Sequence, residues 1–100
     1  MEKMVKTAKS ARKLERHFKG VANHWRIQIL LLVSKDAGLS LMEITDKLNA
    51  NMKTTAEHTR RLVIAGLLEK HHDGTIVLHN LTPYGKEFVQ FIKKFSKHGV

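Results

Sequence analysis

Asp73-Gly74 stands between two strand-like runs, LLEKHH and TIVLHNL. An Asp-Gly pair in that position predicts a β-hairpin closed by a two-residue type I′ turn, because both central residues of such a turn need positive φ. With Asp73 and Gly74 as the loop, His72 pairs with Thr75, His71 with Ile76 and Leu68 with His79. Side chains alternate between faces along a strand, so His71 is separated from His72 and His79. His72 and His79 share a face but lie four residue steps apart, roughly 13 Å at strand rise. Two ligands of one zinc must each come within about 2.1 Å of it. The histidines of KHHDGTIVLH are therefore not expected to form a metal site within one chain. A site bridging two subunits, with His98, His17 or His24 as further ligands, stays open.

The rest of the chain reads as helices. Met4, Ala8, Ala11, Leu14 and Phe18 recur at spacings of three and four and predict a basic amphipathic helix over 3–19, with Gly20 as its stop. Asn23 is placed to cap a second helix over 24–35, whose apolar run to Val33 marks it as central to a core. Asp36-Ala37-Gly38 breaks it. Ser40-Leu41-Met42-Glu43 is a capping box opening a short helix over 41–49. Asn51 caps the next helix, about 52–65, ended by Gly66. On it Thr55, Thr59 and Leu62 share one face, while Lys53, Glu57 and Arg60 fall opposite. Thr82 and Pro83 open a last helix, with Tyr84, Phe88, Phe91, Ile92 and Phe95 along one side.

Length and charge narrow the function. One hundred residues is one domain, expected to span 1–100. There are no cysteines, which removes disulfides and thiolate chemistry. No apolar run is long enough to cross a bilayer, and no signal-peptide core follows the basic start, so a cytoplasmic protein without membrane contact is expected. No nucleophile elbow, dinucleotide fingerprint or phosphate loop is present, and the nine carboxylates are scattered. An enzyme is not expected, nor a cofactor. The net charge of +9 favours a polyanionic partner, nucleic acid first.

The short helix, tight turn and following helix have helix-turn-helix proportions, in which the second helix enters the DNA major groove. Its outer face carries Lys53, Glu57 and Arg60, flanked by Thr54, Ala56 and Arg61. Arg and Lys read guanine edges, and Glu accepts from cytosine. Glu57 also has the spacing to pair with Lys53 or Arg61, and both roles stand. Lys70, His71, His72 and Thr75 place donors around the hairpin turn, suited to phosphates.

Residues 22–83 resemble a winged helix-turn-helix of the ArsR type. ANHWRIQILLLV is similar to that family's lead into its first core helix, with Arg26 at the family's arginine. Leu48 to Leu81 fits the recognition helix and wing without a gap, including Ala65-Gly66-Leu67 and Asp73-Gly74. LTPYGKEF resembles the start of the last helix in MarR- and PadR-like relatives. The resemblance implies a mainly α fold with a small β-hairpin, in the order α-α-α-α-β-β-α. It divides the chain into a basic helix (1–20), a DNA-binding core with wing (21–81) and a C-terminal helix (82–100). It further implies a homodimeric repressor on a palindromic operator in double-stranded DNA. Arg26 and Ser40 are then assigned to the DNA backbone. Met4, Leu14 and Phe18, with Tyr84, Phe88, Phe91, Ile92 and Phe95, are assigned to the dimer interface. Two features depart from the family. Its sensor cysteines are missing, and the last helix offers only His98 as a metal ligand. Thr55 and Thr59 replace larger apolar residues, so a loosely packed recognition helix is expected. The alternatives are a non-specific architectural or replication-associated DNA binder, and a winged helix used for protein or RNA contacts.

Overall fold

The computed structural model describes residues 5–99. Their order is α1 (Ala11–Val21), α2 (His24–Lys35), β1 (Leu39–Ser40), α3 (Leu41–Lys47), α4 (Met52–Ile64), β2 (Leu68–Asp73), β3 (Ile76–Leu81) and α5 (Pro83–Phe95). Each helix start follows a side-chain cap. Ser10, Asn23, Ser40, Asn51 and Thr82 accept from backbone N–H groups of the first turns that would otherwise lack partners.

The first helix is shorter than its periodicity predicts. Ser10 Oγ accepts from Lys13 N at 3.2 Å and starts the helix there, while Val5 to Ala8 are exposed and not helical. Met4 lies outside the described residues. Gly20 does not stop α1, which runs on to Val21. A side chain at Gly20 would collide with Ala65 Cβ, so this glycine lets α1 cross the end of α4. The face that α1 buries is His17 and Val21, not the Leu14–Phe18 side.

The core is built around α2, whose Ile29, Leu30 and Val33 meet Ile44 from α3, Leu62 from α4, Leu68 from β2 and Val89 from α5. Burying each such side chain contributes roughly 1.5–3 kcal/mol. Thr55 and Thr59 are 2% exposed, and among the described residues the buried Thr59 Oγ1 has no hydrogen-bond partner. Thr55 Oγ1 donates to the Asn51 carbonyl at 3.0 Å, bonding back within the helix.

The three strands form one antiparallel sheet in the order β1-β3-β2. The strand β1 is an addition to the expected hairpin. Leu39 and Ser40 pair with His79 and Leu78.

The hairpin register differs from expectation by two residues. Asp73 pairs with Ile76, His72 with Val77, His71 with Leu78, Lys70 with His79 and Leu68 with Leu81. The loop is Gly74-Thr75. Gly74 has φ +65° and Thr75 is not left-handed, which fits a turn with glycine at its first central position (type II′). A shift of two preserves every side chain's face. It also sets Leu68 opposite Leu81, apolar against apolar, where the expected register put Leu68 opposite an imidazole.

Candidate nucleic-acid interface

The capping box at Ser40 fixes where α3 begins. Ser40 Oγ accepts from Glu43 N at 3.2 Å, and Ser40 N donates to Glu43 Oε1 at 3.0 Å. Both bonds leave the Ser40 hydroxyl proton free to donate elsewhere. The Ser40 bonds, backbone first, hold the Glu43 carboxyl below its ordinary pKa. Asn49, at φ 51°, makes the turn between α3 and α4, and Asn51 Oδ1 caps α4 from Thr54 N at 2.7 Å.

On α4, Lys53, Arg60 and Arg61 are exposed, and Thr54, Ala56 and Glu57 are half-buried. Glu57 pairs with Arg61 and also with Arg60, but not with Lys53. Arg60 Nη2 lies 3.0 Å and Arg61 Nε 2.9 Å from Glu57 Oε1. The hydrogen bonds from Arg60, then Arg61, hold the Glu57 carboxyl below its usual range. Among the described residues, Lys53 meets no carboxylate.

Arg26, at the start of α2, reaches under α4. Its Nη1 lies 3.2 Å from His58 Nδ1. A guanidinium only donates, so His58 Nδ1 is the acceptor and carries no proton. Burial first, then the charge of Arg26, pushes the His58 pKa down. Nothing in the sequence marks His58 as a partner of Arg26 across 32 positions; its neighbours on α4 explain only its helical place.

In the wing, Lys70, His71, His72 and Thr75 are all exposed. Strand alternation divides them. Lys70 and His72 share a face with Val77 and His79, whereas His71 sits with Glu69 and Asp73 on the other. On the first face, Lys70, Val77 and His79 line a groove with Ser40, Met42 and Met52. This brings the wing lysine alongside the starts of α3 and α4. The corrected register also reduces the His72–His79 separation to two steps, about 7 Å. Burial divides these two imidazoles: His79 is 3% exposed. Its Nδ1 donates to the Leu39 carbonyl at 2.9 Å, joining β3 to β1. Among the described residues there is no group of three or more His, Asp or Glu able to hold a metal ion. No described helix is long and apolar enough to cross a membrane.

The residues assigned to a dimer interface divide as well. Leu14, Phe88 and Ile92 are partly covered by the chain itself, whereas Phe18, Tyr84, Phe91 and Phe95 are 51%, 43%, 53% and 65% exposed. Gly85 and Val89 are what α5 buries. A side chain at Gly85 would strike the Leu67 carbonyl, so this glycine seats α5 against the base of the wing.

No protein-family model matches the chain, and no curated protein matches it by sequence. Solved structures do match in fold. HlyU from Vibrio cholerae N16961 superposes with a TM-score of 0.77 at 23% identity, over 89% of this chain and 97% of its own. The Mycobacterium bovis domain Mb0332 is described as a homodimeric winged helix-turn-helix DNA-binding domain of a possible ArsR-family transcriptional regulator. It gives 0.77 at 20% identity, over 91% and 90% of the two chains. The transcriptional repressor PagR of Bacillus anthracis gives 0.75 at 16% identity, over 81% and 93%. The fold is a winged helix-turn-helix, with α3 and α4 as the helix-turn-helix and β2-β3 as the wing.

Proposed function

We propose that the protein is an ArsR-type transcriptional regulator that binds double-stranded DNA sequence-specifically, as a homodimer on a palindromic operator, and acts as a repressor. The observation that carries this reading is the groove between wing and helix-turn-helix. Lys70 of the wing shares it with Ser40 and Met52, at the starts of α3 and α4. A helix laid in a major groove about 12 Å wide needs flanking donors to hold its register on the backbone. Here Lys53 and Arg60 supply the reading face, Lys70 and His72 the wing contact, and the Ser40 hydroxyl a backbone donor. The Mb0332 domain and the PagR repressor share this architecture and support the reading.

The test compares affinity for the region upstream of the protein's own gene with affinity for random duplex, from 50 to 200 mM salt. A ratio of about 10³ or more is expected. Affinity is also expected to fall by about 10³–10⁵ over that salt range, as six to ten phosphate contacts require. Equal affinity for both duplexes, with the salt dependence intact, assigns the protein to non-specific architectural binding instead.

A further inference from the structure

Where α1 crosses α4, five cationic side chains gather around a cavity. Arg16 and Lys19 of α1, Arg26 of α2, and Arg60 and Arg61 of α4 line one cavity of about 220 Å³, and no carboxylate lines it. The crossing is held by the Gly20–Ala65 contact and by His17. His17 Nδ1 donates to the Ala65 carbonyl at 2.6 Å, which occupies an acceptor at the end of α4 that would repel an anion. This packing places Arg16 and Lys19 beside α4.

The existing ion pairs compensate little of this charge. Lys19 meets Glu15 at 3.2 Å in an exposed pair on the same helix, of the kind that contributes little in water. Glu57 serves both Arg60 and Arg61. Among the described residues Arg16 and Arg26 meet no carboxylate. Arg26 is the most demanding of the five: it donates to a neutral imidazole, and its Nε is shut off from water with no hydrogen-bond partner. Burial, then the nearby charge of Arg61, lowers the Arg26 pKa. An anion in the cavity would offset that repulsion, and arginine forks match phosphate oxygens in geometry.

We propose that this cavity is a phosphate-binding site, occupied by a backbone phosphate of the duplex that α4 reads. The occupant follows from shared residues: Arg60 and Arg61 belong both to the cavity and to the outer side of α4. On this assignment α1 is part of the DNA contact. The inference rests on the DNA-binding reading above.

The test uses the full chain carrying Arg16→Gln and Lys19→Gln, both at exposed positions, with Lys94→Gln and Lys97→Gln as a control of equal charge loss. Binding to upstream and random duplex is measured across salt. In parallel, the proteins without DNA are dialysed against inorganic phosphate at fixed ionic strength. Each neutralised phosphate contributes about 0.9 to the slope of log affinity on log salt. The α1 variant should lose about one unit of slope on both duplexes, and the control none. An unchanged slope overturns the duplex as occupant. If phosphate alone then binds the wild type and not the α1 variant, the phosphate chemistry stands with a free phosphate-bearing ligand as its source. If neither changes, the site is rejected while the DNA-binding reading survives. If the wild type fails to bind duplex, that reading falls by itself, and the dialysis still decides the cavity.

Discussion

His58 and Arg26 allow only one arrangement of protons, and it gives the fold a pH dependence. The contact needs a bare His58 Nδ1 at 3.2 Å from the guanidinium. Protonating the imidazole removes the acceptor and sets two cations side by side. Burial and Arg26 hold the His58 pKa below its ordinary value in the folded chain, while the unfolded chain takes up its proton near pH 6.5. The unfolded state thus binds more protons below that pH, and stability declines as pH falls from about 6.5 towards the folded pKa. Above pH 6.5 the contribution is complete. Urea unfolding at pH 7.5 and 5.5 should show the wild type losing stability at the lower pH. His58→Gln, which keeps an acceptor but cannot titrate, should lose less. Equal losses in the two proteins would reject His58 as the source.

At the level of elements, the proposed function divides the work between the wing and α4. Lys70 and His72 occupy the groove face, whereas His71 stands with Glu69 and Asp73. Lys70→Ala with His72→Ala should therefore weaken binding about equally on every duplex, because phosphate contacts position without reading. His71→Ala, on the opposite face of the wing, should weaken binding less than His72→Ala. Lys53→Ala should lose about 1–3 kcal/mol on the preferred site and relax discrimination at particular base pairs. Competition titrations against specific and scrambled duplex check this. A wing variant that altered sequence preference, with a helix variant that did not, would exchange the two roles. These elements were largely legible in the sequence because their boundaries are local chemistry. Asn23, Ser40, Asn51 and Thr82 each cap the helix predicted from them. What was not legible depends on contacts distant in sequence. The pairing of Leu39 with His79 makes β1, and that of Leu68 with Leu81 accompanies a register two residues from the one Asp-Gly chemistry implies. The His58–Arg26 contact and the cavity beside Arg16 likewise exist only once α1, α2 and α4 are packed.

The described residues are drawn out, with a radius of gyration of 14.9 Å where about 13 Å is usual for a chain of about this length. The exposed aromatic residues lie together on α1 and α5. Phe18 meets the Phe88 ring edge-on at 5.1 Å, and Phe91 stacks on Phe95 at 5.6 Å. An apolar groove of about 240 Å³ runs beside them, lined by Leu14, Phe18, Tyr84 and Phe91. Aromatic surface of this extent on two adjoining helices fits the proposed homodimer, with α1 and α5 of each copy packed across a two-fold axis. A two-fold axis makes every contact occur twice. Burying one phenylalanine contributes about 1.5–3 kcal/mol, so removing it from both copies weakens the dimer by about 3–6 kcal/mol, or roughly 10²–10⁴-fold. Phe91→Glu is the variant of choice, because its exposed side chain leaves the monomer's core intact. Sedimentation at micromolar concentration should give twice the 11.4 kDa chain mass for the wild type and the single-chain mass for the variant. The variant should keep its helical circular dichroism while losing affinity for a palindromic site much more than for a half-site, since only the dimer spans both halves. A wild type that sediments as a monomer would reject the interface.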